Sequence, residues 1–304
     1  MIERILIGLS TIALLTACGQ SEAQQTDAVK DEPVKEEPAK AEAEEKPAYS
    51  LDEFDLGQGV YMLQGRGGNI GVSTGPDGVF VIDDQFADLA PAIISHIEGL
   101  SDGSIRFVIN THYHGDHTGG NEVMKDTGAT VVAHDNVRAR MGMTMDNKLF
   151  GRTVEATDPA LWPTLTFSEN LTFHFNGQTI DVVHTPGAHT DGDAIIYFRE
   201  ADILHMGDNF FNGLFPYVDI DGGGSLQGMI AASETALTMI GPDTQIIPGH
   251  GPMSSQSDLQ AYRDLLTDIQ ARVAAKVDDG MSLQEIIDAR PLEDYSELLS
   301  LIHI

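Results

Sequence analysis

The sequence predicts an α/β fold in which two sheets pack against each other and helices cover their outer faces. Short apolar runs of strand character alternate with stretches of helical spacing, but they form no single long parallel series. Histidine and aspartate side chains follow several of these runs, where glycine-rich turns begin. Sheets layered with helices bury the apolar faces that such an order of elements creates. Residues 49–304 are long enough for one large domain with a substantial core.

The first half of this region predicts strands on both sides of a helix. Residues 69–73 and 79–83 flank the turn residues 74–78, which is typical of a β-hairpin. The spacing then predicts, in order, a helix over 87–99, a buried strand over 105–110, a helix that begins near Asn121 and a strand over 129–133.

The second half predicts further strands and ends in helices. Strand-like runs recur at 171–175, 179–184, 194–198 and 202–206, and helical spacing covers 225–240 and 259–277. Residues 141–163 have a weak pattern, and we interpret them as an insertion near the functional site. A short helix is expected in the tail that begins at Met281.

His112, His114, Asp116 and His117 form the most informative motif of the chain. Three imidazoles and one carboxylate lie within six residues, directly after the predicted strand 105–110. Both side-chain types bind first-row metal ions, and a shared cation is the usual reason to cluster them. Two histidines spaced two apart in extended chain can point the same way. A glycine then lets the chain turn, so the motif predicts two neighbouring metal positions.

Three later residues occur in the same kind of position. His189, Asp208 and His250 lie in or beside glycine-rich turns that follow short apolar runs. Binding side chains are concentrated in loops that a rigid sheet positions. Together with the motif, these residues make seven candidate ligands, which is more than one tetrahedral ion needs.

These four clusters, in this order between residues 55 and 252, resemble the metallo-β-lactamase-fold hydrolases. The resemblance implies a four-layer αββα sandwich and two zinc ions per chain. The family's first zinc takes three histidines and its second takes an aspartate and two histidines. In this sequence the first set matches His112, His114 and His189, and the second matches Asp116, His117 and His250.

The same resemblance implies roles for two carboxylates. Asp116 would be the catalytic residue, because it would orient the attacking water and take up its proton. Asp83 ends the apolar run 79–82, where the family has a residue that supports the histidine-rich loop from behind. A surface cap is the alternative reading of Asp83.

Asp208 departs from the pattern of the dinuclear β-lactamases, which have a cysteine ligand there. The sole cysteine of this chain, Cys18, lies far outside the predicted domain, so no thiolate is available. The pair at 207–208 resembles the glyoxalase II branch instead, in which an aspartate bridges the two metals. A site of nitrogen and oxygen ligands accepts iron or manganese as well as zinc.

The sequence also lacks a lysine that the β-lactamases with a thiolate ligand use to hold the substrate carboxylate. The matching position is Phe211, and no lysine or arginine occurs from 200 through 262. Residues 209–217 provide either aromatic substrate surface or ordinary packing. Arg66 lies in a glycine-rich turn where the family has a loop over the site, so it is a candidate carboxylate holder or a solvated surface side chain. We therefore expect weak substrate binding.

The N-terminus predicts export and a lipid anchor. Residues 1–17 have a positive start and an apolar core of signal-peptide length, too short to span a bilayer. The residues before Cys18 resemble a bacterial lipoprotein cleavage site, which implies that Cys18 is lipidated. Cleavage that releases a soluble exported protein is the alternative. Gln20, in place of an aspartate, implies a lipoprotein of the outer membrane that faces the periplasm.

Composition predicts a tether and limits the partners. Residues 18–48 have few large apolar groups and are rich in Glu, Lys, Pro and Ala, which is typical of a disordered acidic tether. The chain has a net charge of −30, so we expect it to repel nucleic acid. The predicted partners are a small-molecule substrate and, through the anchor, a membrane.

Two classes of function fit these observations. The first is an exported dinuclear-zinc hydrolase, most similar to a class B β-lactamase, in which a water activated by the metals opens a β-lactam amide. Export favours this substrate, with a thioesterase or lactonase of the same fold as the alternative. The second class is non-hydrolytic, an iron-dependent member of the fold or a metal-binding lipoprotein. The redox di-iron members have a glutamate where this chain has His114, which argues against them.

Overall fold

Two mixed β-sheets pack face to face in this computed structural model, which describes residues 50–148 and 151–298. Within these residues, the N-terminal sheet contains, in spatial order, β1 (Asp52–Gly57), β2 (Val60–Gln64), β3 (Ile70–Gly75), β4 (Gly78–Ile82), β5 (Ile105–Ile109), β6 (Thr130–His134) and β9 (Leu165–Phe167). The C-terminal sheet contains β10 (Asn170–Phe175), β11 (Gln178–His184), β12 (Ala194–Phe198), β13 (Ile203–His205), β14 (Gln245–Ile247) and β15 (Ser254–Ser255). A separate hairpin consists of β7 (Met145–Asn147) and β8 (Arg152–Val154).

Helices flank the two sheets. They are α1 (Ala90–Leu100), α2 (Gly115–Thr118), α3 (Asn121–Asp126), α4 (Asp135–Met141), α5 (Leu226–Met239), α6 (Gln256–Asp278) and α7 (Leu283–Ala289). Apolar residues of α1 and α3 pack against the N-terminal sheet, and those of α5 and α6 pack against the C-terminal sheet. The predicted αββα sandwich is confirmed.

The alternation of side chains along the strands creates these layers. On β4, Phe80 and Ile82 face the other sheet, whereas Val79 and Val81 face the helices. Phe198 on β12 meets Phe80 between the sheets, with ring centroids 6.2 Å apart and planes nearly perpendicular. Successive side chains of a strand point to opposite faces, so apolar residues at every position produce a sheet that is buried on both sides.

Parallel pairing brings several strand ends to the same edge. β4, β5 and β6 are parallel neighbours in one sheet, and β13 and β14 are parallel neighbours in the other. The chain leaves β4 at Asp83 and continues from β5 to His112. It continues from β13 to Asp208 and from β14 to His250. The carboxyl ends of parallel strands are where open α/β sheets bind ligands.

Most predicted elements are found within a few residues of their expected bounds, and the differences have local causes. The helix predicted over 87–99 begins at Ala90, with a proline in its first turn. The helix predicted from 259 begins at Gln256, because Ser255 and Asp258 form a capping box. The weak pattern of 141–163 gave no indication of β7 and β8, which are too short to show an alternation. Strands β1, β2, β9 and β15 were also not predicted.

The predictions for the N-terminus fall outside the described residues. These are the signal peptide over 1–17, the lipidated Cys18 and the tether over 18–48. In the described parts of the chain, no helix combines the length and the apolar character that crossing a membrane requires.

Candidate metal centre

Three histidines converge at the first position of the site. The distances from His114 Nδ1 are 3.1 Å to His112 Nε2 and 3.0 Å to His189 Nε2. Asp208 Oδ2 lies 3.7 Å from His112 Nε2 and 3.5 Å from His189 Nε2. Four possible ligand atoms thus face one point.

Asp116, His117 and His250 meet at a second position beside the first. His250 Nε2 lies 3.4 Å from His117 Nε2 and 3.3 Å from Asp116 Oδ2. α2 begins directly after His114 and contains Asp116 and His117, so a single helical turn separates the two clusters. The sequence predicted a turn at Gly115, and the structure shows that this turn is helical.

Asp208 connects the two clusters. While its Oδ2 faces the first cluster, its Oδ1 lies 3.1 Å from His117 Nε2 and 3.5 Å from His250 Nε2. The side chain is 4% exposed, and Oδ1 makes no hydrogen bond within the described residues. A buried carboxylate oxygen without a hydrogen-bond partner is costly unless it binds a cation. A carboxylate that directs one oxygen toward each cluster has the geometry of a bridging ligand.

Two glycines allow this close packing. A side chain at Gly249 would collide with Asp208 Oδ1, and a side chain at Gly68 would collide with the ring of His117. Glycine is therefore required where these two loops approach the ligands.

Asp83 orients His117 from behind. Its Oδ2 accepts a hydrogen bond from His117 Nδ1 at 2.7 Å, and its Oδ1 accepts one from the backbone N–H of Thr111 at 2.8 Å. The Thr111 hydroxyl donates to Asp83 Oδ2 and lies 3.0 Å from His112 Nδ1, so it accepts from that ring. Asp83 has a φ of 62°, an uncommon backbone conformation for a residue with a side chain. The structure thus places Asp83 where the sequence predicted a supporting carboxylate.

Asp219 and Tyr217 orient His114 and His189, and the sequence analysis missed both. Asp219 Oδ2 accepts from His114 Nε2 at 2.9 Å and from the Tyr113 hydroxyl. The backbone carbonyl of Tyr217 accepts from His189 Nδ1 at 2.9 Å. No motif spacing marks these residues, because they reach the site from a loop between β13 and α5. The sequence showed only that Asp219 follows an aromatic segment, which does not indicate a role at the site.

The electrostatics of the site favour positive charge. Burial lowers the pKa of His189 to about 4, and it lowers the pKa of His112 well below its usual value. Burial opposes ionisation of Asp208, but His117 and His250 outweigh it and hold the pKa well below its usual range. Burial also opposes protonation of His250, but Asp208 and Asp116 raise its pKa to about 9. A carboxylate pair that attracts a proton this strongly attracts a metal cation for the same reason.

These residues fit a pair of metal ions. The outward ring nitrogens of His112, His114 and His189 each donate to an oxygen, so the inward nitrogens present lone pairs. Three lone pairs at about 3 Å repel one another unless they share a cation. The donor set contains only nitrogen and oxygen atoms. It suits zinc and also accepts iron or manganese.

A comparison with known protein families shows to which family the chain belongs. The model of the metallo-β-lactamase superfamily matches residues 56–269. The chain belongs to this superfamily. The match covers both ligand clusters and both sheets, so the αββα fold and the histidine–aspartate metal site of the superfamily apply to this chain.

The curated relatives of the chain include hydroxyacylglutathione hydrolases. Over 145 residues, 47% of each chain, it is 28% identical to a hydroxyacylglutathione hydrolase of Nitrosococcus oceani. Over 110 residues, 36% of this chain and 35% of the relative, it is 32% identical to the corresponding enzyme of Erythrobacter litoralis. The chain thus spans less than half the length of these curated relatives.

Similar solved structures include metallo-β-lactamases. The metallo-β-lactamase of Pontibacter korlensis has a TM-score of 0.60 and 20% identity, and the alignment covers 72% of this chain and all of that one. The DIM-1 metallo-β-lactamase has a TM-score of 0.58 and 16% identity, and the alignment covers 71% and 97%. At this identity the likeness shows the shared fold.

A cavity of about 870 Å³ opens in front of the metal site of this superfamily member. Asp116, Asp208 and His250 reach its surface together with His114. The cavity lining also includes residues from α4, the β7–β8 hairpin and the segment 214–217. The region 141–163 therefore borders the site, as the sequence analysis expected.

Arg66 and Phe211, the two predicted substrate contacts, have different positions. Arg66 lines the cavity, where its Nη2 binds both carboxylate oxygens of Asp88 at 2.8 and 2.9 Å. Phe211 is 1% exposed and stacks on the ring of His250 with a centroid distance of 5.8 Å. Phe211 forms a β-bridge with His250, so its side chain packs behind this metal ligand and does not line the cavity. Phe215, four residues later, does line it.

Proposed function

We propose that the protein is a metal-dependent hydrolase that opens carbonyl compounds, with the β-lactam amide of class B β-lactamase substrates as its first candidate. The observation that supports this most directly is Asp208, a buried carboxylate that joins two histidine clusters on the floor of an open cavity. Two positions side by side suit a reaction in which one carbonyl is polarised and one water is activated.

The residues of the chain would act on the substrate and on the attacking water. Two bound metal ions would supply Lewis acidity and lower the pKa of water. Asp116 is 27% exposed toward the cavity, and its neighbours His117 and His250 overcome burial and lower its pKa, so it is ionised at neutral pH. Its carboxylate can orient the water and accept the proton that the attack releases. Tyr113 also lines the cavity, with its hydroxyl held as a donor to Asp219.

A thioester or a lactone is the second candidate substrate. Its support is the aspartate at position 208 and the similarity to hydroxyacylglutathione hydrolases, whose name gives an acylglutathione as their substrate. Carboxylate-bearing β-lactams would bind weakly, because Phe211 replaces the lysine that holds such a carboxylate. A charge-assisted hydrogen bond contributes about 1.5–3 kcal/mol, which is roughly ten- to a hundredfold in affinity.

A panel of substrates on the metal-loaded protein tests this proposal. We expect turnover of a chromogenic cephalosporin with a high KM, loss of the activity with a chelator, and recovery when zinc is restored. Metal analysis should find two ions per chain. If the protein with two ions cleaves a thioester or lactone well and no β-lactam, the second candidate replaces the first. Absence of turnover on the whole panel would contradict the hydrolase proposal.

We further propose that the protein acts as an exported lipoprotein, anchored through Cys18 in the outer membrane and facing the periplasm. The support is the signal-like stretch 1–17 and the position of the sole cysteine directly after it. Partition of the full-length protein into a detergent phase, compared with Cys18→Ser, tests the anchor. We expect only the wild-type protein to enter the detergent; equal partition of both into water would contradict lipidation.

A further inference from the structure

We infer that the β7–β8 hairpin and Met143, two residues before it, form a binding wall for a hydrocarbon chain, so that the site prefers an acyl compound without a carboxylate whose acyl part is long, flexible and apolar. This inference rests on the proposed hydrolase function and, of its two candidate substrates, favours the thioester or lactone over the carboxylate-bearing β-lactam.

The first observation is the exposure of apolar side chains on this wall. Met143 is 49% exposed and Val154 is 37% exposed, and both line the cavity together with Met145. Large apolar groups that face water in a cleft are typical of a binding surface. Methionine is unbranched and adaptable, so it packs against flexible chains of different shapes.

The second observation is that the hairpin is attached to the loop that orients the metal ligands. Asn147 Nδ2 donates to the Tyr217 hydroxyl at 3.3 Å, and Lys148 Nζ lies 2.6 Å from Asp221 Oδ1. Arg140, at the end of α4, binds Asp191 and also donates to the Asp221 carbonyl. The Tyr217 carbonyl in this loop holds His189, so the apolar wall has a fixed position relative to the metal site.

The third observation is the charge of the lining. Outside the ligand clusters it contains four carboxylates, which are Asp146, Glu155, Asp219 and Asp221. Of its three arginines, Arg66 pairs with Asp88 and Arg140 pairs with Asp191. A substrate carboxylate would add negative charge to this surface, whereas a hydrocarbon chain needs no charged partner.

The cavity has room for such a chain beside the reacting carbonyl. Its volume of about 870 Å³ is near the upper end of small-molecule pockets. Burial of one methylene group contributes about fourfold in affinity when it is complete. Because the wall remains partly open to water, we expect about two- to threefold per methylene.

A chain-length series on the metal-loaded, full-length protein tests the inference. Thioesters of N-acetylcysteamine carry no charge, and their acyl part can be varied from two to ten carbons. We expect kcat/KM to rise by about two- to threefold per added methylene until the wall is covered. The double variant Met143→Ser, Val154→Ser should flatten this dependence. Leu283→Ser, at a 75% exposed position on α7 outside the cavity, is the matched control and should leave it unchanged.

A binding experiment separates this inference from the proposed function. Ketone analogues, with a methylene in place of the thioester sulfur, cannot be hydrolysed, and calorimetry measures their affinity. We expect the affinity to rise with chain length in the wild-type protein and in Leu283→Ser, but not in the double variant. Thioester turnover that ignores chain length would overturn the inference and leave the hydrolase proposal intact. If no substrate is cleaved, the hydrolase proposal fails, and binding that ignores chain length then overturns the apolar wall as well.

Discussion

The metal site and the β7–β8 hairpin border one cavity, but the histidines behind the cavity surface and the apolar side chains beside the hairpin differ in their exposure to water. His112, His117 and His189 are at most 1% exposed, whereas Met143, which lines the cavity, is 49% exposed. Each of these histidines also has a hydrogen-bond partner behind its ring. A site that holds a charge requires fixed dipoles, whereas a wall for hydrocarbon groups benefits from adaptable side chains. Changes in the two regions should therefore alter different quantities.

The largest effect is expected from Asp208→Ala, because this carboxylate faces both clusters. The variant should lose at least one metal ion and lower turnover by more than about a hundredfold while it keeps the fold. Metal analysis, circular dichroism and kcat on the best substrate check this. Asp146→Ala removes a carboxylate from the same cavity, on the hairpin, and serves as the control. Full metal content and activity in Asp208→Ala would refute its assignment as a ligand.

The carboxylates behind the ligands should have the next largest effect. Asp83→Asn and Asp219→Asn keep the shape but weaken the hydrogen bonds that orient His117 and His114. We expect about a ten- to hundredfold loss in metal affinity for each, measured by competition with a chelator. Asp181→Asn removes a carboxylate that pairs with Arg199 on the surface and should not change the affinity. Equal affinities in all three variants would contradict the orienting role.

Two phenylalanines on one segment test which side chains pack in the core and which form the cavity surface. Phe211→Ala should lower the free energy of unfolding by about 3–5 kcal/mol, because its ring is buried. Phe215→Ala, on the cavity surface, should lower it by about 1 kcal/mol. Chemical denaturation after metal removal measures both, so that ligand loss does not contribute. The opposite order would restore Phe211 as a candidate substrate contact.

The smallest change in the free energy of unfolding is expected from a substitution of Met143 in the cavity wall. Met143→Ser replaces a half-exposed side chain, so its free energy of unfolding should change by less than about 0.5 kcal/mol. Metal affinity should also stay within twofold of wild type. A large loss of either quantity would mean that the side chain supports the fold, and the distinction between the two regions would fail.

The metal ligands were visible in the sequence because their spacing reflects local geometry. His112, His114, Asp116 and His117 are close in the chain, and the strand and turn that contain them bring them together. His189, Asp208 and His250 were recognised because each follows an apolar run at a glycine-rich turn. The αββα layers were likewise predictable from the order of the strands and helices, since this pattern determines which faces must be buried.

Short elements and long-range contacts were less predictable. β7 and β8 have three residues each, which is too few for an alternation of polar and apolar side chains to be recognised. The sequence left Phe211, three residues after Asp208, as either a substrate contact or ordinary packing. Its burial follows from the pairing of its segment with that of His250, a contact between distant parts of the chain.

The sequence by itself determined the family, the ligand types and the absence of a thiolate, because these depend on residue identity and on spacing within single loops. Only the tertiary structure decided that Asp208 faces both clusters, that Asp219 and Tyr217 orient histidines, and that Met143 and Met145 line the cavity next to the metal site. These contacts join segments that meet only when the two sheets pack and their strand ends reach one edge. Their distances are set by that packing, and spacing along the chain does not encode it.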